Sequence, residues 1–314
     1  MSLAFVFPGQ GAQTIGMGRD LAEAYPAARA VFDEVDAALG EKLSTLIWEG
    51  EQEALTLTQN AQPALMATSI AALRALEAEG VSMDQVAYVA GHSLGEYSAL
   101  CAAGTFSVAD TARLLRRRGL AMQAAVPVGV GAMAAILGLD IEAVRAIAAD
   151  AAEGEVCAAA NDNDPAQVVV SGHKAAVERA AVLAKERGAK RALMLPVSAP
   201  FHCELMAPAA REMAVALGEV KMNDPVVPLV ANVLARPCRD ATDISSLLVE
   251  QVTHSVRWRE SVDWMAGEGG VTTFWEIGAG KALSGMIRRI AKEAETRAVG
   301  TSADVAAAVE ALGA

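Results

Sequence analysis

Ser93 stands in Gly91-His92-Ser93-Leu94-Gly95, between an apolar run at 86–90 and a helix-forming run that starts at Glu96. A strand, a tight turn and a helix in succession can hold a serine hydroxyl out at the apex of a strained elbow. Glycine at both flanks lets the backbone turn sharply. The helix that follows points its first N–H groups at any oxyanion formed there. These residue types at this spacing point to acyl chemistry through a serine. A plainer reading fits the same residues. Ser93 and Glu96 match a capping box, in which the Ser caps the helix and the Glu returns the bond.

A serine nucleophile needs a base, and two histidines lie in informative sequence. His202 sits in Ser198-Ala199-Pro200-Phe201-His202-Cys203, where Pro200 biases Ala199 toward an extended backbone and a helix is expected to start near His202. His92 adjoins Ser93, but neighbours on a tight turn point apart. Either histidine also reads as a hydrogen-bonded structural residue. Cys203 reads as a buried small hydrophobe rather than a thiol nucleophile. Phe7-Pro8-Gly9-Gln10-Gly11 ends the first apolar run, and its glycines permit a tight loop. The backbone N–H of Gln10 could there join that of Leu94 in an oxyanion hole. Gly278-Ala279-Gly280-Lys281 lacks the earlier Gly and the following Ser/Thr of a phosphate-binding loop, so it reads as a strand-to-helix turn. Arg116-Arg117-Arg118 falls on a helix, where at most one or two of the three face a cleft. A guanidinium facing an acyl site would select an acyl group that ends in a carboxylate.

The elements that must position these groups alternate between strand-like and helix-like runs, which makes the class α/β. Residues 3–7, 86–90, 226–230 and 272–275 read as strands. Residues 61–79 read as a long helix with Pro63 in its first turn. Ser107 caps a helix over 108–124, 262–266 is helical, and 303–314 forms a last short helix. The middle of the chain has its own order. Strands at 132–137, 155–160, 167–170 and 192–195 interleave with helices at 141–149 and 175–185. Asn161-Asp162-Asn163-Asp164-Pro165 reads as the turn between the middle two strands. That β-α-β-β-α-β order is the ferredoxin-like split unit. The expected architecture is a discontinuous large domain, 1–126 and 197–314, with a small domain, 127–196, inserted in it.

Composition narrows the function. The 314 residues are 53% hydrophobic and only 4% aromatic, so the core is built from small aliphatic side chains. The net charge of −12 argues against nucleic acid as a partner. No apolar stretch reaches the roughly 18 residues of a membrane span. The N-terminal run lacks the basic flank of a signal peptide. Cys101, Cys157, Cys203 and Cys238 are scattered, as in a reduced cytoplasmic protein. The four histidines lack metal-site spacing, and neither a metal nor an organic cofactor is expected.

Taken together, the motifs resemble malonyl-CoA:acyl carrier protein transacylases. They are Phe-Pro-Gly-Gln-Gly at 7–11, Gly-His-Ser-Leu-Gly-Glu at 91–96, Arg118-Gly119 with Met122-Gln123, Asn161-Asp162-Asn163 ahead of Gln167-Val168-Val169, Pro200-Phe201-His202, and Glu276-Ile277-Gly278-Ala279-Gly280-Lys281. The resemblance runs in order along nearly the whole chain. It implies an α/β-hydrolase-like large domain with an inserted ferredoxin-like small domain. It implies Ser93 as nucleophile, His202 as base, and the backbone carbonyl of Gln251 as the group that orients the base. It further implies an oxyanion hole from the N–H groups of Gln10 and Leu94, and Arg118 pairing with the malonyl carboxylate. Phe201, Asn163, Met122 and His92 are implied substrate contacts. Malonyl-CoA and acyl carrier protein are the implied partners, in fatty acid or polyketide synthesis. Two positions depart from the pattern. Phe201 stands where stand-alone members often carry Ser, and His254-Ser255-Val256-Arg257 replaces the usual Asn-Pro-Val ahead of Trp258. A hydrolase passing the acyl group to water, and a non-catalytic carrier-binding subunit, are the alternatives. Carrier proteins of this kind are acidic, so Lys185, Arg187, Lys190 and Arg191 form a candidate docking patch.

Overall fold

The computed structural model describes residues 2–197 and 199–312. Two sheets organise them. The larger has six strands in the order β10-β9-β1-β2-β7-β8. These are β1 (Leu3–Phe7), β2 (Val86–Gly91), β7 (Leu229–Val230), β8 (Pro237–Cys238), β9 (Thr273–Ile277) and β10 (Glu295–Val299). All neighbours pair in parallel except the antiparallel β7–β8 edge. Both faces are covered. Leu3, Phe5 and Phe7 pack into one core with the long helix Thr58–Ala78, while Ala4 and Val6 pack on the other side against Trp258, Val262 and Phe274. Burial on both faces explains why the central strand β1 reads as an unbroken apolar run.

The second sheet holds β3 (Gly131–Leu137), β4 (Cys157–Asp164), β5 (Gln167–His173) and β6 (Arg191–Met194) in the antiparallel order β4-β5-β3-β6. Helices Ile141–Ala152 and Lys174–Glu186 complete the expected β-α-β-β-α-β unit. They bury Ile136, Val168 and Val170 on one face. The other face, through Met133, Ala135, Ala160 and Val169, packs on Leu195, Val197 and Phe201. The small sheet therefore lies over the segment that carries His202.

Four expectations change. The 161–164 run is not a turn. All four residues lie in β4 and are buried, which leaves only Pro165 and Ala166 between the strands. Two register shifts interrupt the regular ladder along this part of β4. Asp162 then meets Arg259 and Asp164 meets Arg289, each at 2.7–2.8 Å, while the 162 N–H donates to the Val256 carbonyl at 2.9 Å. Charges from the distant helices Trp258–Ala266 and Ala282–Ile290 stabilise what looks like turn chemistry. The long helix begins at Thr58, so Pro63 lies in its second turn rather than its first. The 226–230 run yields a strand only at Leu229–Val230, because Pro228 has no N–H to pair. Near His202 there is a 3₁₀ turn, Glu204–Met206, and the α-helix proper starts later, at Ala207–Gly218. The last helix is Ser302–Leu312, and the final two residues of the 303–314 expectation lie outside the described residues. Ser198 does too.

The elbow depends on two close backbone approaches. Ser93 has φ 54° and ψ −112°, a conformation that L-residues rarely adopt. A Cβ on Gly91 would strike the Gly95 carbonyl, and one on Gly95 would strike the Phe7 carbonyl at the end of β1. Gly95→Ala must therefore push the elbow helix Leu94–Ala102 off β1. It is expected to destabilise the protein by roughly 2 kcal/mol or more in urea unfolding, since the obstacle is backbone and cannot repack. Unchanged stability in that variant would contradict the packing.

Candidate active site

Ser93 Oγ lies 2.8 Å from His202 Nε2, and His202 Nδ1 lies 2.8 Å from the backbone carbonyl of Gln251. A carbonyl only accepts, so Nδ1 carries the ring proton. Nε2 of the neutral ring is then a lone pair aimed at the Ser93 hydroxyl. Burial and the nearby positive charge of Arg118 push the His202 pKa down to about 3. The ring is thus an unprotonated acceptor at neutral pH. His202 itself has φ 58°, a second strained residue at the site.

The other histidine is turned elsewhere. His92 Nε2 meets Asn163 Oδ1 at 2.8 Å, and its ring tilts against Trp258 with centroids 5.9 Å apart. Burial lowers its pKa, opposed by the bond to Asn163. Cys203 is buried, and its thiol donates to the Pro200 carbonyl at 3.2 Å, away from Ser93. Of the base candidates, only His202 contacts the serine.

Arg118 is 1% exposed, on the helix Val108–Ala124. Its Nη1 donates to Gln62 Oε1 at 2.7 Å. Its Nη2 donates to Gln251 Oε1 at 2.8 Å and to Ser93 Oγ at 3.2 Å. Its guanidinium carbon lies 5.6 Å from the Tyr97 ring centroid. Among the described residues no carboxylate forms an ion pair with it. A buried cation met only by amides, a hydroxyl and a ring is suited to a ligand anion. Arg116 and Arg117 face outward instead, paired with Glu41 and with Glu212 and Glu219. Met122 is buried, and its sulfur accepts from Gln62 Nε2 at 3.7 Å, behind the Arg118 contact.

The Gly9–Gly11 loop presses on the elbow. A Cβ on Gly9 would lie 2.7 Å from the His92 carbonyl oxygen. Gln10 anchors its side chain by donating to Thr58 Oγ1 at 3.1 Å. The Leu94 N–H heads the elbow helix, among the N–H groups that have no intrahelical acceptor. These two backbones therefore flank Ser93. Phe201 is half-buried, packed between the large core and the small sheet.

Three side chains central to the site are not among the site residues read from the sequence. Asn232 Oδ1 accepts from the Ser93 N–H at 2.9 Å, and its Nδ2 donates to the Gly91 carbonyl at 2.6 Å. Gln62 holds Arg118. Glu96 closes the Gly91–Glu96 motif and reads from the sequence as the fourth residue of a capping box, and that box does not form. Ser93 makes no side-chain cap bond, and the Glu96 carboxylate turns inward to Gln251 and Asn232.

The acyl transferase domain model matches residues 4–309. The malonyl CoA-acyl carrier protein transacylase of Bacillus subtilis (strain 168) is 49% identical over 311 residues, 99% of this chain and 97% of that protein. An acyl-carrier-protein S-malonyltransferase structure from Bartonella henselae is 56% identical with a TM-score of 0.97, covering 100% of both chains. A malonyl-transacylase solved in complex with its type II PKS acyl-carrier protein is 42% identical with a TM-score of 0.96, covering 99% of this chain and 100% of that one. A family model over nearly the full length and close relatives along all of it leave one assignment: the chain belongs to the malonyl CoA-acyl carrier protein transacylase family.

Proposed function

We propose that this enzyme moves a malonyl group from malonyl-CoA to the phosphopantetheine thiol of acyl carrier protein, through a malonyl ester on Ser93. The observation that carries the reading is one hydroxyl with two partners. Ser93 Oγ sits against the acceptor nitrogen of a neutral histidine and against a buried guanidinium that makes no ion pair among the described residues. As Oγ bonds to the thioester carbon, its proton passes to His202 Nε2. The oxyanion rests on the N–H groups of Gln10 and Leu94. The C–S bond breaks, and the CoA sulfur leaves with the proton from His202. The carrier thiol then gives its proton to His202 as its sulfur attacks the ester carbon, the bond to Ser93 Oγ breaks, and His202 returns the proton to Oγ. Arg118 holds the malonyl carboxylate throughout, while Phe201, Asn163, Met122 and His92 line the acyl and thioester path. Residues 127–196 act as a lobe over this path, a division supported by their separate core. Lys185, Lys190 and Arg191 are exposed for carrier docking, and Arg187 is paired with Asp150. A cytoplasmic setting, in fatty acid or polyketide synthesis, fits the four free cysteines. No helix among the described residues is long and apolar enough to cross a membrane.

Malonyl-CoA is expected to add one malonyl mass to the protein at Ser93, with ping-pong kinetics, and Ser93→Ala is expected to abolish both. A ternary-complex pattern without an acylated peptide overturns the mechanism, and steady release of free malonate without carrier points to a hydrolase.

The base must be neutral to act, and a pKa pushed down to about 3 leaves its ring neutral at the pH of the reaction. His202 is therefore expected to show no NMR titration on going from about pH 8 to about pH 5, where an unperturbed histidine titrates near 6.5. His202→Ala is expected to slow acylation by roughly two to four decades. Titration of His202 near 6.5, or a larger loss in His92→Ala, contradicts the assignment.

Substrate choice tests the guanidinium. Arg118→Ala is expected to lose at least ~100-fold in malonyl kcat/KM, the scale of breaking a buried ion pair, and to gain relatively with acetyl-CoA. Arg118→Lys recovers only part, because Lys cannot make a two-pronged contact. An Arg118→Ala enzyme that prefers malonyl over acetyl as strongly as the parent removes Arg118 from this role.

A further inference from the structure

The reaction above leaves unused a buried acid that lies beside the nucleophile. Glu96 is 1% exposed and lies beneath the elbow, in the first turn of its helix. Its Oε2 accepts from Gln251 Nε2 at 2.6 Å, and its Oε1 accepts from the Asn232 backbone N–H at 3.2 Å. Both residues also grip the strained Ser93 backbone. Asn232 Oδ1 takes the Ser93 N–H at 2.9 Å, and Gln251 Nε2 donates to the Ser93 carbonyl at 2.9 Å. Gln251 does two further things. Its backbone carbonyl orients His202, and its side-chain Oε1 accepts from Arg118 at 2.8 Å.

An amide can face two ways, and only one works here. With Nε2 toward Glu96 and Ser93, Oε1 faces Arg118. Flipped, the NH₂ group would point at the guanidinium, donor against donor. The anionic acceptor at Glu96 fixes the choice. We propose that Glu96 is a positioning residue: its ionised carboxylate locks the Gln251 amide and the Asn232 backbone, and through them sets Ser93, His202 and Arg118 for malonyl transfer. This rests on the reaction proposed above.

Because both carboxylate oxygens face N–H donors, a proton on Glu96 converts one acceptor into a donor opposite an N–H. The Gln251 amide then loses its anchor, and Ser93 and Arg118 lose a partner each. Burial raises the Glu96 pKa to about 7, against the opposing effects of Gln251, Asn232 and the Arg118 charge. The other titratable groups around it do not change over that range. Tyr97 is pushed up to about 12, His202 down to about 3, and Arg118 stays charged although burial lowers its pKa. Lowering the pH through about 7 thus moves Glu96 from the locking form to the unlocked one, and the acid limb of the rate belongs to Glu96 rather than His202.

The test is the rate of Ser93 malonylation, read by intact mass, from about pH 5.5 to about pH 9, with the thermal midpoint of each protein at each pH. The parent is expected to lose rate as pH falls through about 7. Glu96→Gln cannot ionise, so its profile is expected to be flat there, at ~10- to 100-fold below the parent's high-pH rate, the scale of a displaced catalytic group. Glu96→Asp keeps the charge on a shorter arm. It is expected to recover part of the rate and to show a limb displaced from the parent's, which serves if the Gln variant does not fold. A parent profile flat through this range overturns the proposal. So does a Glu96→Gln enzyme with the parent's limb or the parent's rate, or a Glu96→Asp limb that coincides with the parent's. A role confined to stability lowers the thermal midpoint and leaves the limb in place. Absence of malonyl-Ser93 in the parent at every pH fails the reaction itself rather than this assignment.

Discussion

Taking the Arg118 guanidinium out of water leaves a charge that dipoles must meet, since no described carboxylate pairs with it. The rest of the site follows from that demand. Gln62 and Gln251 turn their carbonyl oxygens to it, which fixes two amides. Tyr97 offers its ring face. The guanidinium charge also reaches His202, where it adds to burial in keeping the imidazole unprotonated. One buried cation is thus left open to the carboxylate of the proposed substrate, and with burial it keeps the neighbouring ring in the form that can accept a proton.

The backbone strain has an equally local support. Positive φ at Ser93 and His202 is unfavourable by about 1–3 kcal/mol each, so the surrounding structure must over-determine both. At Ser93 it does so through side chains on other elements, with Asn232 on the N–H and Gln251 on the carbonyl. At His202 the ring is pinned between Ser93 and the Gln251 carbonyl. The small sheet packs over the segment that leads to His202. It is tied to the large sheet's helices along β4 by Asp162–Arg259 and Asp164–Arg289, and Asn163 on the same strand reaches His92 beside the serine.

What the sequence revealed follows the range of the interactions. The elbow was legible because its parts are consecutive: an apolar strand, two glycines where backbone meets backbone, and a helix. The split β-α-β-β-α-β unit was legible because each element carries its own period. The 161–164 run misled because Asn and Asp were weighed as exposed turn formers. Their partners, Arg259 and Arg289, lie about a hundred residues away in sequence, and nothing local announces them. Asn232 and Gln62 were invisible for the same reason. Glu96 was visible but misassigned, since a capping box and an inward carboxylate share the same spacing from Ser93. Three-dimensional placement decides between them.

Donor counting links substrate choice to reactivity in the proposed transfer. A guanidinium has five N–H groups. Three are engaged here, one of Nη1 by Gln62 and both of Nη2 by Gln251 and Ser93. A two-pronged carboxylate contact uses Nη2 together with either Nε or Nη1, so it needs one of the Nη2 protons. The bond to Ser93 Oγ, at 3.2 Å, is longer than the 2.8 Å bond to Gln251 and is the weaker one to displace. Drawing that proton to the carboxylate releases a lone pair on Ser93 Oγ, the same oxygen that must attack the thioester. An acyl group without a carboxylate leaves Arg118 donating to the nucleophile. A malonyl group turns that donor onto itself, so the charge that selects the substrate also stops competing for the serine.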